Sequence, residues 1–390
     1  MDGFIFPNEG VVEWDLLIVV YPYITGLVAG AFVVSSLYHV FGIKALKPVA
    51  RFSLVAALAF LLFAPLPLVI HLGRPERALQ MFFTPNLASA MSAFGFIWLL
   101  YFLLVLTEVW LVFREDIVRY AKASEGVWKT VYTALALGVL EISEEARAID
   151  AKLIKILALV GIPSAFLLHG YVGFIFGAVK ANPWWSTPLM PIIFITSATV
   201  SGIALLLVMY VVSSKIRNVP LDHNCLRSLA IWLLGILCVN FVLEGLEIFS
   251  MNYEAEESWE IISRLIDEKI YFSYFGIQFI LGAVVPLIIL SYAELTRAGE
   301  NVKIPARVLA ATLVLVGVFA MRWNVVIGGQ LMSKSFRGFT DYVPPILGLE
   351  GVLVASAFMI APVVFFVVLV RVLPPWQEEP KEPEPRRLSF

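Results

Sequence analysis

The chain contains about nine separate apolar runs, and they constrain its fold more than any other feature of the sequence. Each run is about 20 residues long, enough to cross a hydrocarbon core of about 30 Å as a helix. Hydrophobic residues make up 60% of the chain and charged residues only 15%. The sequence therefore predicts an all-α, polytopic integral membrane helical bundle with about nine transmembrane helices, eight to ten being possible. The runs cover residues 16–41, 53–70, 88–113, 153–179, 187–212, 229–249, 271–292, 306–328 and 346–370.

No internal repeat is visible, so we expect a single transmembrane domain over residues 1–373. Residues 127–150 depart from the spanning pattern because their apolar core is about 14 residues, or about 21 Å as a helix, and is too short to cross. We interpret this segment as an amphipathic helix on the cytoplasmic surface; a crossing there would invert all later spans. Residues 374–390 are rich in proline and charge, which predicts a disordered cytoplasmic tail.

Lysine and arginine are concentrated in alternate loops. Most of them lie in the loops 42–52, 114–152, 213–228 and 296–305 and in the C-terminal tail. The positive-inside rule therefore predicts a multi-pass protein of the cytoplasmic membrane, with its N-terminus outside and its C-terminus in the cytoplasm. The segment "HLGRPERALQMFFTPN" falls on the outer face in this topology, although it carries Arg74 and Arg77. These two arginines are then better explained by a function than by topology.

Ionisable and polar side chains gather toward the outer ends of the predicted spans. Such groups are costly in hydrocarbon, so each requires a structural or functional reason. Glu108 and Glu294 lie instead near cytoplasmic ends, where a side chain can reach water. One leaflet is therefore predicted to hold most of the unusual chemistry. The outer set comprises Asp15, His71, His169, Tyr171, Asn240, Glu244, Glu247, Arg322, Asn324 and Glu350.

Arg322 is the most demanding single residue, because the eighth span cannot end before it. The apolar part up to Met321 is about 14 residues, or about 21 Å, so the helix must continue through "RWNVVIGG". A guanidinium at that depth requires a carboxylate or a polar ligand. Glu244, Glu247 and Glu350 are candidate partners at matching depth. A structural ion pair and a ligand contact both remain open.

His169 and Tyr171 lie together in "LLHGYVGFIFG", within the fourth span. A histidine in an apolar helix is often a packing residue. A histidine and a tyrosine together can also donate hydrogen bonds to the carbonyl groups of a quinone, or move its protons.

The first span has a proline in its interior. Pro22 removes a backbone hydrogen bond and is predicted to kink the helix, opening space beside Tyr23. The aromatic pair Trp184 and Trp185 would form the rim of a lipophilic cleft there, or serve as ordinary residues of the interfacial belt.

The sequence predicts no metal site, iron–sulfur cluster or haem in this chain. Cys225 and Cys238 lie far apart with no CxxC motif. A haem with two histidine ligands needs both at one depth, whereas His71 and His169 differ in depth and the other two histidines are predicted to be cytoplasmic. Any such redox centre must therefore belong to a partner.

Several segments together resemble the successive signatures of the NrfD/PsrC family, the membrane subunits of polysulfide-reductase-like complexes. These segments are "ITGLVAGAF", "HLGRPERALQMFFTPN", "GYVGFIFG" and "NPWWSTPLMPIIFITSATVSG". The length, the late additional span and "RWNVVIGGQ" are similar to the HybB-like and DsrP-like branch of that family. The similarity covers most of the chain, and the "LGRP" loop in its context is its most specific part.

The resemblance implies a quinone-interacting subunit of a multi-subunit respiratory oxidoreductase. Such a subunit exchanges electrons between menaquinone, bound at the outer side, and an extracytoplasmic ferredoxin-like iron–sulfur subunit. Further expected partners are a cytochrome c subunit, other membrane or cytoplasmic redox subunits and membrane lipids, but not nucleic acid.

The resemblance also implies roles for particular residues. A tyrosine of a "YxG" motif contributes to the quinone site in the family, which gives that role to Tyr171, and polar groups that open the first helix do likewise, which points to Asp15. We predict three sets on this basis. Quinone binding involves Tyr171, His169, Asp15, Tyr23 and Arg322; proton transfer involves Glu244, Glu247, Glu108 and Glu294; partner docking involves His71, Arg74, Arg77, Trp184 and Trp185.

Two other classes of function are compatible with parts of the sequence. A secondary transporter or ion-translocating subunit would suit the buried acids and the broken first helix, although inverted-repeat symmetry is not visible. A membrane anchor would use its polar loops for docking and would have no quinone site.

Overall fold

A computed structural model describes residues 11–86, 88–253 and 258–376. Within these ranges, nine helices are long and apolar enough to cross a membrane, which confirms the predicted all-α membrane bundle. The spans are Leu16–His39, Lys44–His71, Ala90–Ala123, Glu144–Gly177, Met190–Ile216, His223–Tyr253, Phe272–Leu295, Glu300–Gln330 and Val352–Val372.

The bundle has two ends, which we name by the chain termini. The N-face is the end at which α1 (Leu16–His39) begins, and the C-face is the end at which α13 (Val352–Val372) ends. At the N-face, Asp15 pairs with His71, which closes α3 (Leu66–His71). At the C-face, the Tyr132 hydroxyl donates to the carbonyl of Val372. Successive spans therefore alternate in direction between the two faces.

α1 is the central helix of the bundle. All residues from Leu16 to Ser36 are buried. The helices that pack around α1 are α2 (Lys47–Phe63), α7 (Glu144–Gly177), α8 (Met190–Ile216) and α12 (Glu300–Val326). The contact with α8 requires glycine: a Cβ atom on Gly30 would lie 2.7 Å from the Cα of Gly202. A core helix without a polar face explains why the first span reads as apolar on all sides.

The 72–89 connection carries α4 (Gln80–Phe83) and a short 3₁₀ turn, Pro75–Arg77. α5 (Ala90–Ala123) then crosses to the C-face. The segment predicted as one amphipathic helix, 127–150, is made of α6 (Gly126–Leu135), a turn, and the first residues of α7 (Glu144–Gly177). The break has a conformational cause, since Leu137 and Gly138 both have positive φ. α6 is about 15 Å long and does not cross the bundle.

The second half of the chain is assembled from α8 (Met190–Ile216), α9 (His223–Tyr253), α10 (Trp259–Leu265), α11 (Val285–Leu295) and α12 (Glu300–Val326). Between α10 and α11 the chain is π-helical over Ile266–Ile270 and Phe272–Val284. π-Helical turns are rare and are frequent at functional sites.

The predicted disordered tail begins as ordered structure. The Arg217 guanidinium lies 3.7 Å above the ring of Trp376, which also packs against Phe52. Residues 377–390 lie outside the described part of the chain.

Candidate functional site

Arg322 occupies the interior of the bundle and is fully buried. Its Nη2 donates to Nε2 of His169 at 2.9 Å and to Oγ of Ser197 at 2.7 Å. The guanidinium carbon also lies 3.9 Å from the ring centre of Phe194, a cation–π contact. α12, α7 and α8 thus converge on one positive charge.

Arg322 determines which ring nitrogen of His169 carries the proton. A guanidinium has only donors, so Nε2 of His169 must accept, and a neutral imidazole then carries its proton on Nδ1. That Nδ1 is buried and has no hydrogen-bond partner among the described residues, and the same is true of Nε of Arg322. The pair therefore keeps one unused donor on each side chain.

The predicted partners of Arg322 are not the ones that the structure gives it. None of the three carboxylates considered, those of Glu244, Glu247 and Glu350, forms an ion pair with it within the described ranges. Helix packing explains the difference, because Gly26 of α1 leaves room for the His169 ring, which would lie 3.1 Å from a Cβ at that position.

Glu244 lies at the centre of a second buried network. Its Oε1 accepts from Nδ2 of Asn240 at 2.8 Å, and its Oε2 accepts from Nε2 of Gln278 at 2.9 Å. Asn324 donates in turn to Oε1 of Gln278 at 2.8 Å, and Ser273 donates to Oδ1 of Asn324 at 2.6 Å. In the series Ser273, Asn324, Gln278 and Glu244, each side chain donates to the next one. The network is therefore polarised to accommodate a carboxylate at Glu244.

Glu247 follows Glu244 by one helical turn and shares its helix face, as the i, i+3 spacing predicts. Both acids line a cavity of about 30 Å³ together with Gln278 and Asn324, which is room for about one or two water molecules. Oε1 of Glu247 is buried and has no hydrogen-bond partner in the described part of the chain.

Trp184 and Trp185 are buried rather than displayed, at 6% and 5% exposure. Their indole N–H groups donate to the carbonyls of Asn324 and Val325, at 2.9 and 2.6 Å. These hydrogen bonds hold the 178–189 connection against the end of α12. The burial of both rings leaves little ring surface for a partner to contact.

Asp15 and His71 form a polar corner at the N-face. Oδ2 of Asp15 lies 3.1 Å from Nδ1 of His71, while its Oδ1 caps α1 by accepting from the amide of Leu17 at 2.7 Å. Oε1 of Glu350 lies 4.0 Å from the same histidine nitrogen. Partial burial and the nearby Asp15 carboxylate raise the pKa of Glu350 above its ordinary value.

These three residues have a geometry that could hold a metal ion. Their ligand atoms lie within 4.8 Å of one another, a property found for no other such group in the described ranges. The short contact between Asp15 and His71 is, however, a hydrogen bond with a proton between the two atoms, and both oxygens of Asp15 are engaged. The geometry therefore favours an acid–base pair over a metal centre.

Tyr171 lies in the last two turns of α7, toward the same face. Its hydroxyl donates to the carbonyl of Ala90, the first residue of α5, at 3.0 Å. Tyr21 of α1 packs edge-on against Phe94 of α5. The N-face ends of α1, α3, α5 and α7 are thus brought together by the Asp15–His71, Tyr171–Ala90 and Tyr21–Phe94 contacts. We call this region the N-face corner.

The structure divides the predicted quinone-binding set into two places. Asp15 and Tyr171 belong to the N-face corner, whereas His169 and Arg322 form the interior pair. Tyr23 belongs to neither group of contacts, since its hydroxyl donates to the carbonyl of Leu315 at 3.2 Å. Arg74 and Arg77 are exposed on the 72–89 connection beside His71, where an approaching partner can meet them.

The two acids near the C-face also differ from each other. Glu294 accepts from Nε of Arg307 at 2.7 Å, and Arg307 also reaches Glu300 at 3.0 Å. Glu108 is fully buried, and neither of its oxygens has a partner in the described residues. Such surroundings accommodate the neutral acid more readily than the anion.

Several members of these networks were absent from the sequence prediction. Gln278 stands alone in the apolar stretch "FGIQFILGAV", and an amide in such a stretch was a usable signal. Ser197 and Ser273 carried no such signal, because small hydroxyl residues are common in membrane helices and usually bond their own backbone.

The chain matches one protein family and is similar to several individual membrane subunits. A model of the family "Polysulphide reductase, NrfD" matches residues 5–334. One selenate reductase subunit, from Mesobacillus selenatarsenatis, is 30% identical over 324 residues, which cover 81% of this chain and 73% of that protein. A putative membrane subunit of dimethyl sulfoxide reductase, from Halobacterium salinarum, is 30% identical over 295 residues, or 74% of this chain and 64% of the relative.

A third relative is more distant but covers as much of the chain. It is the Hdr-like menaquinol oxidoreductase integral membrane subunit of Archaeoglobus fulgidus, which is 23% identical over 329 residues. The match covers 83% of this chain and 73% of the archaeal protein.

Proposed function

The chain belongs to the NrfD family, and on that premise we propose that it is the quinone-interacting membrane subunit of a multi-subunit reductase complex. It exchanges electrons between menaquinone and an extracytoplasmic iron–sulfur subunit. The names of its relatives support this assignment, since two are reductase subunits and one is a subunit of a menaquinol oxidoreductase.

The N-face corner is the observation that carries the proposal. It places an acid–base pair, Asp15–His71, and a tyrosine hydroxyl at the end of four converging membrane helices. A quinone must gain or lose protons with its electrons, so its site requires groups of this kind at the edge of the membrane. The described residues hold no CxxC motif or paired cysteines, so the electrons are assigned to a partner's cluster.

The corner can move a proton at stated atoms. Nδ1 of His71 lies 3.1 Å from Oδ2 of Asp15, so a proton taken up by the imidazole is stabilised by the carboxylate. Oε1 of Glu350 lies 4.0 Å from the same nitrogen. The raised pKa of Glu350 suits a group that exchanges protons with the aqueous side. The Tyr171 hydroxyl joins α7 to α5 in the same corner by donating to the carbonyl of Ala90.

The interior pair, His169 and Arg322, would contribute to quinone chemistry through the positive charge of the arginine. Arg322 lies deeper than the corner on a helix that also contacts α1, and its positive charge is not cancelled by a contacting carboxylate. A fixed positive charge in a medium of low dielectric stabilises negative charge that develops on a nearby head group.

Orientation and docking follow from the same proposal. The N-face is taken as extracytoplasmic, in agreement with the concentration of lysine and arginine at the C-face loops. Arg74 and Arg77 are exposed beside the corner and suit an acidic partner surface. The partner's cluster would then lie above His71.

Electron exchange by corner variants tests the proposal. The whole complex, purified from its native membrane and placed in lipid nanodiscs, is mixed anaerobically with menaquinol or menaquinone while the cluster spectrum of the partner is followed. We expect His71→Gln to slow exchange about 100-fold, the loss typical of a missing acid–base group. Tyr292→Phe, an exposed tyrosine of α11, is the matched control for Tyr171→Phe and should leave the rate unchanged.

The anchor function remains the second candidate, and one observation favours it. Tyr171 and His169 already make hydrogen bonds inside the protein, to Ala90 and Arg322. Wild-type exchange rates in both His71→Gln and Tyr171→Phe complexes, with the partner still bound, would establish an anchor and exclude the quinone site.

A further inference from the structure

A groove separates the N-face half of α9 from the π-helical stretch. Its volume of about 410 Å³ falls within the range of about 300–1,000 Å³ typical of small-molecule sites. The lining is mainly apolar and aromatic and includes Gly245, while Asn252, Ser263 and Asp267 contribute polar groups. The side chains on the walls include Phe249, Trp259, Ile266, Phe275 and Phe279.

The groove adjoins the small polar cavity of the Glu244 network. Ile248 and Tyr274 line both spaces, so the groove and the cavity adjoin at these two side chains. Tyr274 packs edge-on against Trp184 on one side and Phe275 on the other, at centroid distances of 5.7 and 5.2 Å. An amphiphile whose head group lies at Tyr274 would therefore be next to the two acids.

The polar groups next to Tyr274 determine which kind of head group can bind there. Both oxygens of Glu244 already accept hydrogen bonds from amides, whereas Oε1 of Glu247 has no partner among the residues described. The available group is thus an acceptor. It pairs with a head group that carries O–H donors, whereas the phosphate of a phospholipid offers mainly acceptors.

We propose that the groove and the cavity together form a second amphiphile site, which binds a quinol with its hydroxyl donating to Glu247 and its tail along the aromatic walls. This site goes beyond the proposed function and rests on it only for the class of ligand. The groove is built from α9, α10 and the π-helical stretch, and the cavity adds α8 and α12, whereas the N-face corner is built from α1, α3, α5 and α7. A quinol bound here would be held apart from the corner.

The unpartnered oxygen of Glu247 also predicts that the second site distinguishes quinol from quinone. A quinol has hydroxyl donors, whereas the oxidised quinone has only acceptors and leaves Oε1 of Glu247 unpaired. The second site should therefore bind the reduced form more tightly, and Glu247→Leu should remove that preference while leaving the apolar groove in place.

Gly245 offers a direct way to fill the groove. A Cβ at Gly245 meets nothing within 4 Å in the described structure, so a side chain can start there, and Gly245→Phe places a ring at the lining of the groove. Gly235 lies on the same helix, meets nothing within 4 Å either, and does not line the groove. Gly235→Phe is therefore a matched control for the added ring and for the gain in helix propensity.

The test is a count of bound ligands by native mass spectrometry on the full chain, titrated anaerobically with a short-tailed naphthoquinol. We expect two quinols per wild-type and Gly235→Phe chain, one per Gly245→Phe chain, and at least tenfold weaker binding of the quinone at the second site. In Glu247→Leu the quinol and quinone affinities of that site should become equal.

The outcomes separate this inference from the proposed function. One quinol per chain that Gly245→Phe leaves in place would overturn the second site and retain the corner. One quinol that Gly245→Phe removes, with binding unaffected by His71→Gln, would retain the second site and overturn the corner. Retention of phospholipid in place of the second quinol would overturn the choice of ligand and with it this proposal.

Discussion

Buried charges at the two faces of the bundle are satisfied in opposite ways. Near the C-face, Arg307 is 1% exposed and meets two carboxylates, those of Glu294 and Glu300. Toward the N-face, Arg322 is as deeply buried but meets a neutral histidine, a serine and an aromatic ring. One arginine is paired with carboxylates by direct contact, and the other has no carboxylate in direct contact among the described residues.

The carboxylates follow the same division. Asp150 near the C-face pairs with Arg114 at 2.9 Å, whereas Glu244 toward the N-face is held by two amides. Glu108 is the exception on the C-face side, since it has no partner among the described residues. The C-face therefore satisfies most of its buried charges by direct ion pairs, whereas the N-face half holds a buried arginine and a buried carboxylate without one, as the proposed quinone chemistry would require.

Removing the C-face arginine should have the largest effect on stability. Arg307→Met leaves Glu294 buried beside an apolar side chain, which typically costs about 3–5 kcal/mol. Thermal unfolding in mild detergent should show a large fall in melting temperature. Arg227→Met is the control, because its contact with Glu294 is 3.8 Å and its side chain is 65% exposed. Equal losses in both variants would contradict the structural role of the Arg307 pair.

Removing the interior arginine should affect turnover more than stability. Arg322→Leu replaces a charge that has no contacting carboxylate, so no buried anion is left behind by direct contact. We expect quinone-dependent electron exchange to fall about 100-fold, as for other lost electrostatic groups. The melting temperature should change much less than in Arg307→Met. A collapse in stability with normal exchange in the remaining folded protein would show that the two arginines have the same role.

Replacing the central acid of the amide network should have a moderate effect. Glu244→Gln puts an NH₂ group opposite the NH₂ of either Asn240 or Gln278, so one arm must reverse its amides or lose a hydrogen bond. The expected cost is about 1–3 kcal/mol of unfolding free energy, measured by denaturant titration. Glu268→Gln, on an exposed carboxylate outside the network, is the control and should change little. An unchanged free energy in Glu244→Gln would contradict the polarised network.

The smallest expected effect is a gain in stability. Glu108→Leu removes a buried carboxyl group without partners, which should raise the unfolding free energy by about 1 kcal/mol. If Glu108 belongs to the predicted proton-transfer set, electron exchange should slow in the same variant although the protein is more stable. Loss of stability would show that Glu108 has a partner essential to the fold.

The fold followed from the sequence because hydrocarbon leaves few choices. Runs of about 20 apolar residues must become helices in lipid, so the number of spans and the continuation of the eighth span through Arg322 were predictable. The break after α6 was not predicted. Gly138 was a usable signal for it, but the positive φ of Leu137 has no signature in the sequence.

The site was predictable in its composition but not in its connections. Depth along each span indicated which polar residues lie toward the N-face, and the i, i+3 spacing placed Glu244 and Glu247 on one face. Which partner each would take depends on helix rotation and on glycine contacts between distant segments, such as Gly26 beside His169. Single-span patterns carry no information about such contacts, so His169 rather than a carboxylate was found at Arg322.

The central claim is quinone exchange at the N-face corner. A cryo-EM map of the complex purified from its native membrane in mild detergent tests it most directly. The claim predicts quinone density within hydrogen-bond reach of His71 or Tyr171, beneath a cluster-bearing subunit docked on the 72–89 connection. A corner filled only by protein side chains or lipid tails, with that subunit in place, would contradict it.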